Sequence, residues 1–271
     1  MRTGLAAAAA VLAFTAHAAE PVAFVADLQG NAAIEGDGKV GFLAELNAGT
    51  RLLLGTGAKV AVTYATTGTE FTIRGPGEFM VGEAEVKADK GAAPTKRLVA
   101  VLRDTTLVAG ISKTATASLR MRNVQPAASI RAGLEYPVDT KVATLQPALR
   151  WRQASGESAE VMLADTSGKQ IWKGIVPSGS APPAMKLAAA TRYRWTVMTP
   201  QGAVGEAQFE TLPADALGKA AKSRTTAKTF SERVVHALLL HELGATQEAR
   251  ETWAGLARER PELPELAALA H

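Results

Sequence analysis

Hydrophobic and polar residues alternate through much of the chain, most clearly over residues 49–85. Ala58, Val60, Val62 and Tyr64 alternate with Lys59, Ala61, Thr63 and Ala65. A period of two places one apolar face on a strand. Thr66-Thr67-Gly68 supplies a turn, and Phe71 and Ile73 continue the apolar face against Glu70, Thr72 and Arg74. Gly75-Pro76-Gly77 turns the chain again, and Phe79 and Val81 resume the pattern. Strands and tight turns are therefore expected from Val22 to about Asp89, with a polar loop or linker over 87–96.

A strand is expected over 116–122, where Ala117, Leu119 and Met121 alternate with polar neighbours, and a connector over 123–133. A second alternating block follows. Leu149 and Trp151 share a face, as do Ala159, Val161 and Leu163, and Tyr193, Trp195 and Val197. Turn residues separate these short strands about every ten residues, the pattern of a β-sandwich.

The period then changes. Val234, Val235, Leu238, Leu239 and Leu243 have helical spacing. Thr229-x-x-Glu232 in front of them is a capping-box signature, and Gly244 is a stop. Thr246 is placed to cap a second helix, whose face carries Ala249, Trp253 and Leu256 and which Pro261 ends. Residues 264–269 can form a short final helix with Pro264 in its first turn. Residues 213–228 read as a connector.

Composition adds a compartment. Arg2, the apolar run 5–14 and Ala16-His17-Ala18 form a signal peptide over 1–18, which predicts a periplasmic protein with the leader removed. The run is too short for a span, which needs about 20 apolar residues, so no membrane span is expected in the mature chain. There is no cysteine, so disulfides and lipid attachment through a cysteine are excluded. The formal net charge of +4 is spread in singles and pairs, such as Lys96-Arg97 and Arg192-x-Arg194, which argues against nucleic acid as a partner.

Leu46, Gly49, Leu52 and Gly55, the strand around Val60 and Val62, and Gly68 leading Phe71, Ile73 and Gly75-Pro76-Gly77 together resemble the FecR domain. In that family, regulators join a periplasmic part to a membrane span and a cytoplasmic tail. Neither is read in this sequence, so the resemblance implies a periplasmic interaction module. Pro147-x-Leu149-x-Trp151 and Leu187-x3-Thr191-x-Tyr193-x-Trp195-x-Val197 resemble a fibronectin type III domain, with Tyr193 at the tyrosine-corner position and Ala188-Ala189-Ala190 where the family usually has a proline. Ala237, Ala249 and Pro261, with Leu240 and Trp253, resemble one tetratricopeptide repeat.

The expected fold is mainly β with a C-terminal α-helical hairpin. Its parts are the signal peptide (1–18), a FecR-like β-domain with a C-terminal extension (20–122), a fibronectin type III-like sandwich (134–212) and the helical hairpin (226–271).

The motifs that carry chemistry are weak. Gly36-x-Gly38-x-x-Gly41 lies between strand-like pieces and reads as a hairpin turn rather than a dinucleotide fingerprint. His236 and His241 are five apart, and His241-Glu242 lacks the second histidine of a zinc motif, since Ala245 stands there. Glu83 and Glu85 read as solvated strand residues, and Trp151 and Trp195 as core, with Trp172 less determined. No catalytic residue, cofactor or metal site is predicted.

The expected function is non-enzymatic: an envelope adaptor or sensor working through protein contacts. Binding of an anionic polysaccharide or wall polymer is the alternative. One repeat cannot bury its own apolar face, so Val234, Leu238, Leu239, Trp253 and Leu256 are the expected contacts for an envelope protein or for a second copy of the chain. The exported protein should have the intact mass of a chain cleaved after Ala18; an uncleaved product that pellets with membranes would remove the compartment assignment.

Overall fold

The computed structural model describes residues 21–99, 102, 133–152, 157–177, 179–181 and 185–271. The expected signal peptide, the strand over 116–122 and all of the 123–133 connector except Gly133 lie outside the described residues. The described chain is mostly β with helices at its C-terminal end.

Among the described residues ten strands build the first module. They are β1 (Ala23–Gln29), β2 (Ala32–Ile34), β3 (Gly38–Lys39), β4 (Glu45–Leu46), β5 (Arg51–Leu54), β6 (Lys59–Tyr64), β7 (Thr69–Arg74), β8 (Gly77–Val81), β9 (Val86–Lys90) and β10 (Thr95–Leu98). They form two five-stranded antiparallel sheets, ordered β10-β7-β6-β1-β4 and β3-β2-β5-β8-β9. The alternating residues Ala58, Val60, Val62, Tyr64, Phe71, Ile73, Phe79 and Val81 all enter one core shared by the two sheets. Gly75 is required where the chain turns from β7, because a Cβ there would lie 2.0 Å from the carbonyl oxygen of Gly55.

The linker expected over 87–96 is instead part of this module. β9 pairs with β8 and β10 with β7, each as the outermost strand of its sheet. Edge strands expose one flank to water and tolerate lysines and acids, which gives the stretch its loop-like composition.

Eight strands build the second module: β11 (Leu134–Tyr136), β12 (Thr140–Val142), β13 (Leu149–Trp151), β14 (Ala159–Asp165), β15 (Gln170–Val176), β16 (Ser180–Ala181), β17 (Arg192–Thr199) and β18 (Gly202–Thr211). Their sheets run β11-β13-β16 and β12-β18-β17-β14-β15. Trp151, Val161, Leu163, Tyr193, Trp195, Val197 and Phe209 pack in the core of this sandwich. The Tyr193 hydroxyl accepts the Ala188 N–H at 2.9 Å, and Ala190 takes the left-handed backbone (φ 50°) in the turn where proline is missing.

Four helices follow: α1 (Ala214–Thr226), α2 (Phe230–Glu242), α3 (Thr246–Glu259) and α4 (Pro264–Leu269). The capping box of α2 is complete, with the Thr229 side chain on the Glu232 N–H and the Glu232 carboxylate on the Thr229 N–H. Gly244 ends α2 at φ +82°. Thr246 does not cap α3; Ala245 holds that position with no side-chain bond. The connector expected over 213–228 is largely α1. Its buried residues are Ala216, Ala220 and Ser223, so its contact stripe is too small to show in a hydrophobic pattern.

The helices cover the outer face of the β1-containing sheet. Strand β1 is buried from Ala23 to Leu28 and serves two cores: Ala23, Val25 and Leu28 point into the first module, while Phe24 and Ala26 join Val234, Leu238, Leu239, Trp253 and Leu256. Phe42 meets the rings of Phe230 and Trp253 edge-on, with centroids 6.3 and 6.4 Å apart. Full burial of each such side chain contributes about 1.5–3 kcal/mol.

Leu238→Ala or Trp253→Ala should therefore cost about 2–5 kcal/mol of unfolding free energy. Phe42→Ala combined with Trp253→Ala should cost less than the sum by about 0.5–1.5 kcal/mol, the worth of an aromatic pair. Denaturant titration reads both. Strictly additive losses would mean that the hairpin is not seated on this sheet.

Candidate functional site

The five residues expected to meet a partner are each at 2% exposure or less. This corrects the sequence expectation. The apolar face of the hairpin is covered by Phe24, Ala26, Phe42, Leu43 and Ala65 of the first module, helped by Leu263 and Leu266. The part of the sheet face under the helices that β6 and β7 present reads as polar in sequence, and its burial was hidden for that reason. Thr63, Glu70 and Asp27 lie on the face and are all buried.

Two arginines make that burial tolerable. Arg97 on β10 donates Nε to Glu70 at 2.7 Å and its terminal nitrogens to Glu232, Thr229 and Ser231 at 2.8–2.9 Å. Burial works against the Arg97 charge, but the bonds and charges of Glu70 and Glu232 outweigh it and hold its pKa up. Burial also works against Glu232, but the backbone N–H groups of Thr229 and Lys228 and the Arg97 charge hold its pKa down. Arg260, after α3, binds the Asp27 carboxylate at 2.6 Å and the Leu28 carbonyl at 2.7 Å, pairs with Glu262 and stacks on Phe230. A buried carboxylate left without such a partner is strongly destabilising.

The opposite side of the helices meets the sandwich through different chemistry. Glu248, in the first turn of α3, accepts the Tyr136 hydroxyl at 2.6 Å and the Ala143 N–H at 3.0 Å. Gln247 accepts the Val138 N–H at 2.7 Å and donates to the Glu135 carbonyl at 2.9 Å. The Lys141 N–H reaches the Gly244 carbonyl at 3.2 Å, and the hydroxyls of Thr140 and Thr246 are 3.2 Å apart. Arg150 pairs with Glu251 and lies over the Tyr136 ring. The apolar part of this seam is small, with Ala220, Leu240, Ala245 and Ala249 buried beside Ala143 and Leu243.

A cleft of roughly 310 Å³ opens on this seam, lined by Ala143, Ala220, Arg224, His236, Leu240, Glu248, Glu251 and Thr252. It brings together Arg224, His236, Glu248 and Glu251. His236 Nδ1 is 2.7 Å from the Ser223 hydroxyl, a bond that joins α2 to α1. Burial, then the Arg224 charge, pushes the His236 pKa down to about 4. Burial and the neighbouring Glu251 raise the Glu248 pKa, against the two hydrogen bonds it accepts. Burial, then the charge of Glu248, drives the Tyr136 hydroxyl pKa upward. The cleft thus holds a neutral imidazole and a carboxylate engaged by the sandwich, both set in place by joints between elements.

His241 lies elsewhere on α2, its pKa lowered by burial and by Arg250. Glu85 pairs with Lys87, and its carbonyl accepts the Tyr64 hydroxyl. Trp151 and Trp195 are core, and Trp172 is half-buried against the same cluster. Among the described residues no group of three or more His, Asp or Glu side chains is disposed to hold a metal ion, and no helix is long and apolar enough to cross a membrane.

No family model matches the chain, and neither does any curated protein. Among solved structures, one that matches is the crystal structure of CopC from Methylosinus trichosporium OB3b. It is 18% identical, spans 30% of this chain and 94% of its own, and superposes with a TM-score of 0.24. At that score the likeness says nothing of ligand or activity.

The folded pKa of His236 lies below its free value of about 6.5. The neutral ring's contribution is therefore present above about pH 6.5 and is lost as pH falls toward 4, by roughly 3 kcal/mol over the whole window. Urea midpoints measured from pH 7 to 4.5 should fall less steeply in His236→Asn, which keeps an acceptor near Ser223 but does not titrate. Equal slopes would place the acid sensitivity elsewhere.

Proposed function

We propose that the chain is an exported, non-enzymatic binding protein of the cell envelope, acting as an adaptor or sensor through protein contacts. The supporting observation is where its buried polar chemistry is spent. Arg97, Arg260, Tyr136, Glu248 and the Ser223–His236 pair each tie one element to another. Groups used in this way give rigidity, whereas a catalytic group needs a free lone pair or proton aimed at a substrate. The first module's resemblance to the FecR domain, the sandwich's resemblance to fibronectin type III and the leader sequence add the envelope setting. Because the hairpin face is covered from within, the partner surface proposed here belongs to the β-modules.

The test is affinity capture with the mature protein from envelope extract, followed by reconstitution with the purified captured protein. A stoichiometric complex seen by sedimentation supports the adaptor reading. Retention on isolated wall polymer, with no protein complex, would replace it with the polysaccharide reading. Turnover of a substrate that is lost in His236→Asn would overturn both.

A further inference from the structure

The helices meet two β-modules through two unlike seams, and the difference has a mechanical consequence. Toward the first module the contact is a continuous apolar core, in which aromatic and branched side chains from both sides interdigitate between Arg97 and Arg260. Toward the sandwich the buried apolar residues are mostly alanines, and the joint consists of hydrogen bonds. Two clefts open on that joint. One cleft is lined by Ala143, His236 and Glu248. A second, of roughly 330 Å³, is lined by Thr140, Lys141 and Arg192 of the sandwich with Gly244 and Thr246 of the helical side. A joint of hydrogen bonds with little apolar burial opens at lower cost than an apolar core, which opens only by exposing its surface. Among the described residues the chain crosses this seam once, at Leu212-Pro213, where β18 gives way to α1.

We propose that the protein moves as two bodies. The first β-module and the helices are one, the sandwich is the other, and the seam formed by residues 138–143 with Gly244, Thr246, Gln247 and Glu248 is the joint that opens. The motion is a swing of an intact sandwich relative to the other body, with Leu212-Pro213 as the link between them among the described residues. This inference stands independently of any envelope partner.

Hydrogen exchange on the full chain tests it. The Val138, Lys141 and Ala143 amides donate to Gln247, Gly244 and Glu248 across the joint. They should exchange at least about tenfold faster than the amides of Val161 in the sandwich core and Leu238 in α2, as expected for sub-global opening. Because the chain has no cysteine, Thr140→Cys with Thr246→Cys places one defined disulfide across the joint. Its oxidised form should slow those three amides to the rate of the core. Fast exchange that persists in the locked form would mean that strand β12 frays by itself, and the swing would be wrong. Slow exchange of all sites in the wild type would make the molecule a single body and also end the proposal.

A second measurement does not depend on that variant. Spin labels at the exposed positions 37 and 169 (Asp37→Cys, Lys169→Cys) span the joint, while labels at 37 and 268 (Asp37→Cys, Ala268→Cys) do not. The first pair should give the broader distance distribution. Equally narrow distributions would overturn the two-body description, and a broad 37–268 distribution would show that the helices are the moving part.

Discussion

The structure depends on the burial of one sheet face that carries charge. The outer side of β10-β7-β6-β1-β4 presents Phe24, Ala26 and Ala65, but also Asp27, Thr63 and Glu70. Helices with an apolar stripe alone would leave Asp27 dry and without the Arg260 guanidinium, a cost of several kcal/mol. Helices with polar faces would leave the phenylalanines wet. The C-terminal segment meets both demands, with Leu238, Leu239 and Trp253 over the apolar part and Arg260 on Asp27. Glu70 is met from within its own sheet by Arg97, which passes the charge on to the N-terminal turn of α2. Once that seat is filled, the helices have mostly small side chains, Leu240, Leu243 and hydrogen-bonding groups left to offer the sandwich.

This division separates stability from adaptability. Apolar burial is non-directional and gains little from a particular angle, so the aromatic and arginine contacts are what orient the helices on the first module. The sandwich joint works the other way, with much direction and little burial. Its geometry is specified by Glu248 and Gln247, while the strength holding it is modest. Under the binding function proposed above, one half is stiff and the orientation of the other is open to selection by a partner.

The sequence made the strands, the turns and the α2 cap legible because each has a local signal: period-two alternation in β6 and β7, Gly75 and Gly244 at turns, Thr229 and Glu232 three residues apart. It hid three things. Helix α1 packs through Ala216 and Ala220, which look the same in a loop as in a helix. Strands β9 and β10 carry edge-strand polarity that resembles a linker. The joints were the least legible, because Arg97 meets Glu232 and Asp27 meets Arg260 across 135 and 233 residues of chain. One signal was present and readable: the unbroken apolar run from Val22 to Ala26, where a strand with one wet face would alternate. It marked a strand covered on both sides, and so marked the seat that the hairpin occupies.

Strand β1 is a wall between two cores, and its second core is completed by residues more than two hundred positions later. A chain made from its N-terminus exposes Phe24 and Phe42 for as long as it takes to make Trp253 and Leu266. During that interval the first module is a finished sheet with a sticky back, open to the wrong neighbours. Closing so distant a contact is slow for reasons of chain entropy alone. The outer face of the earliest strand is therefore the part that waits longest for protection, until α2 and α3 are in place.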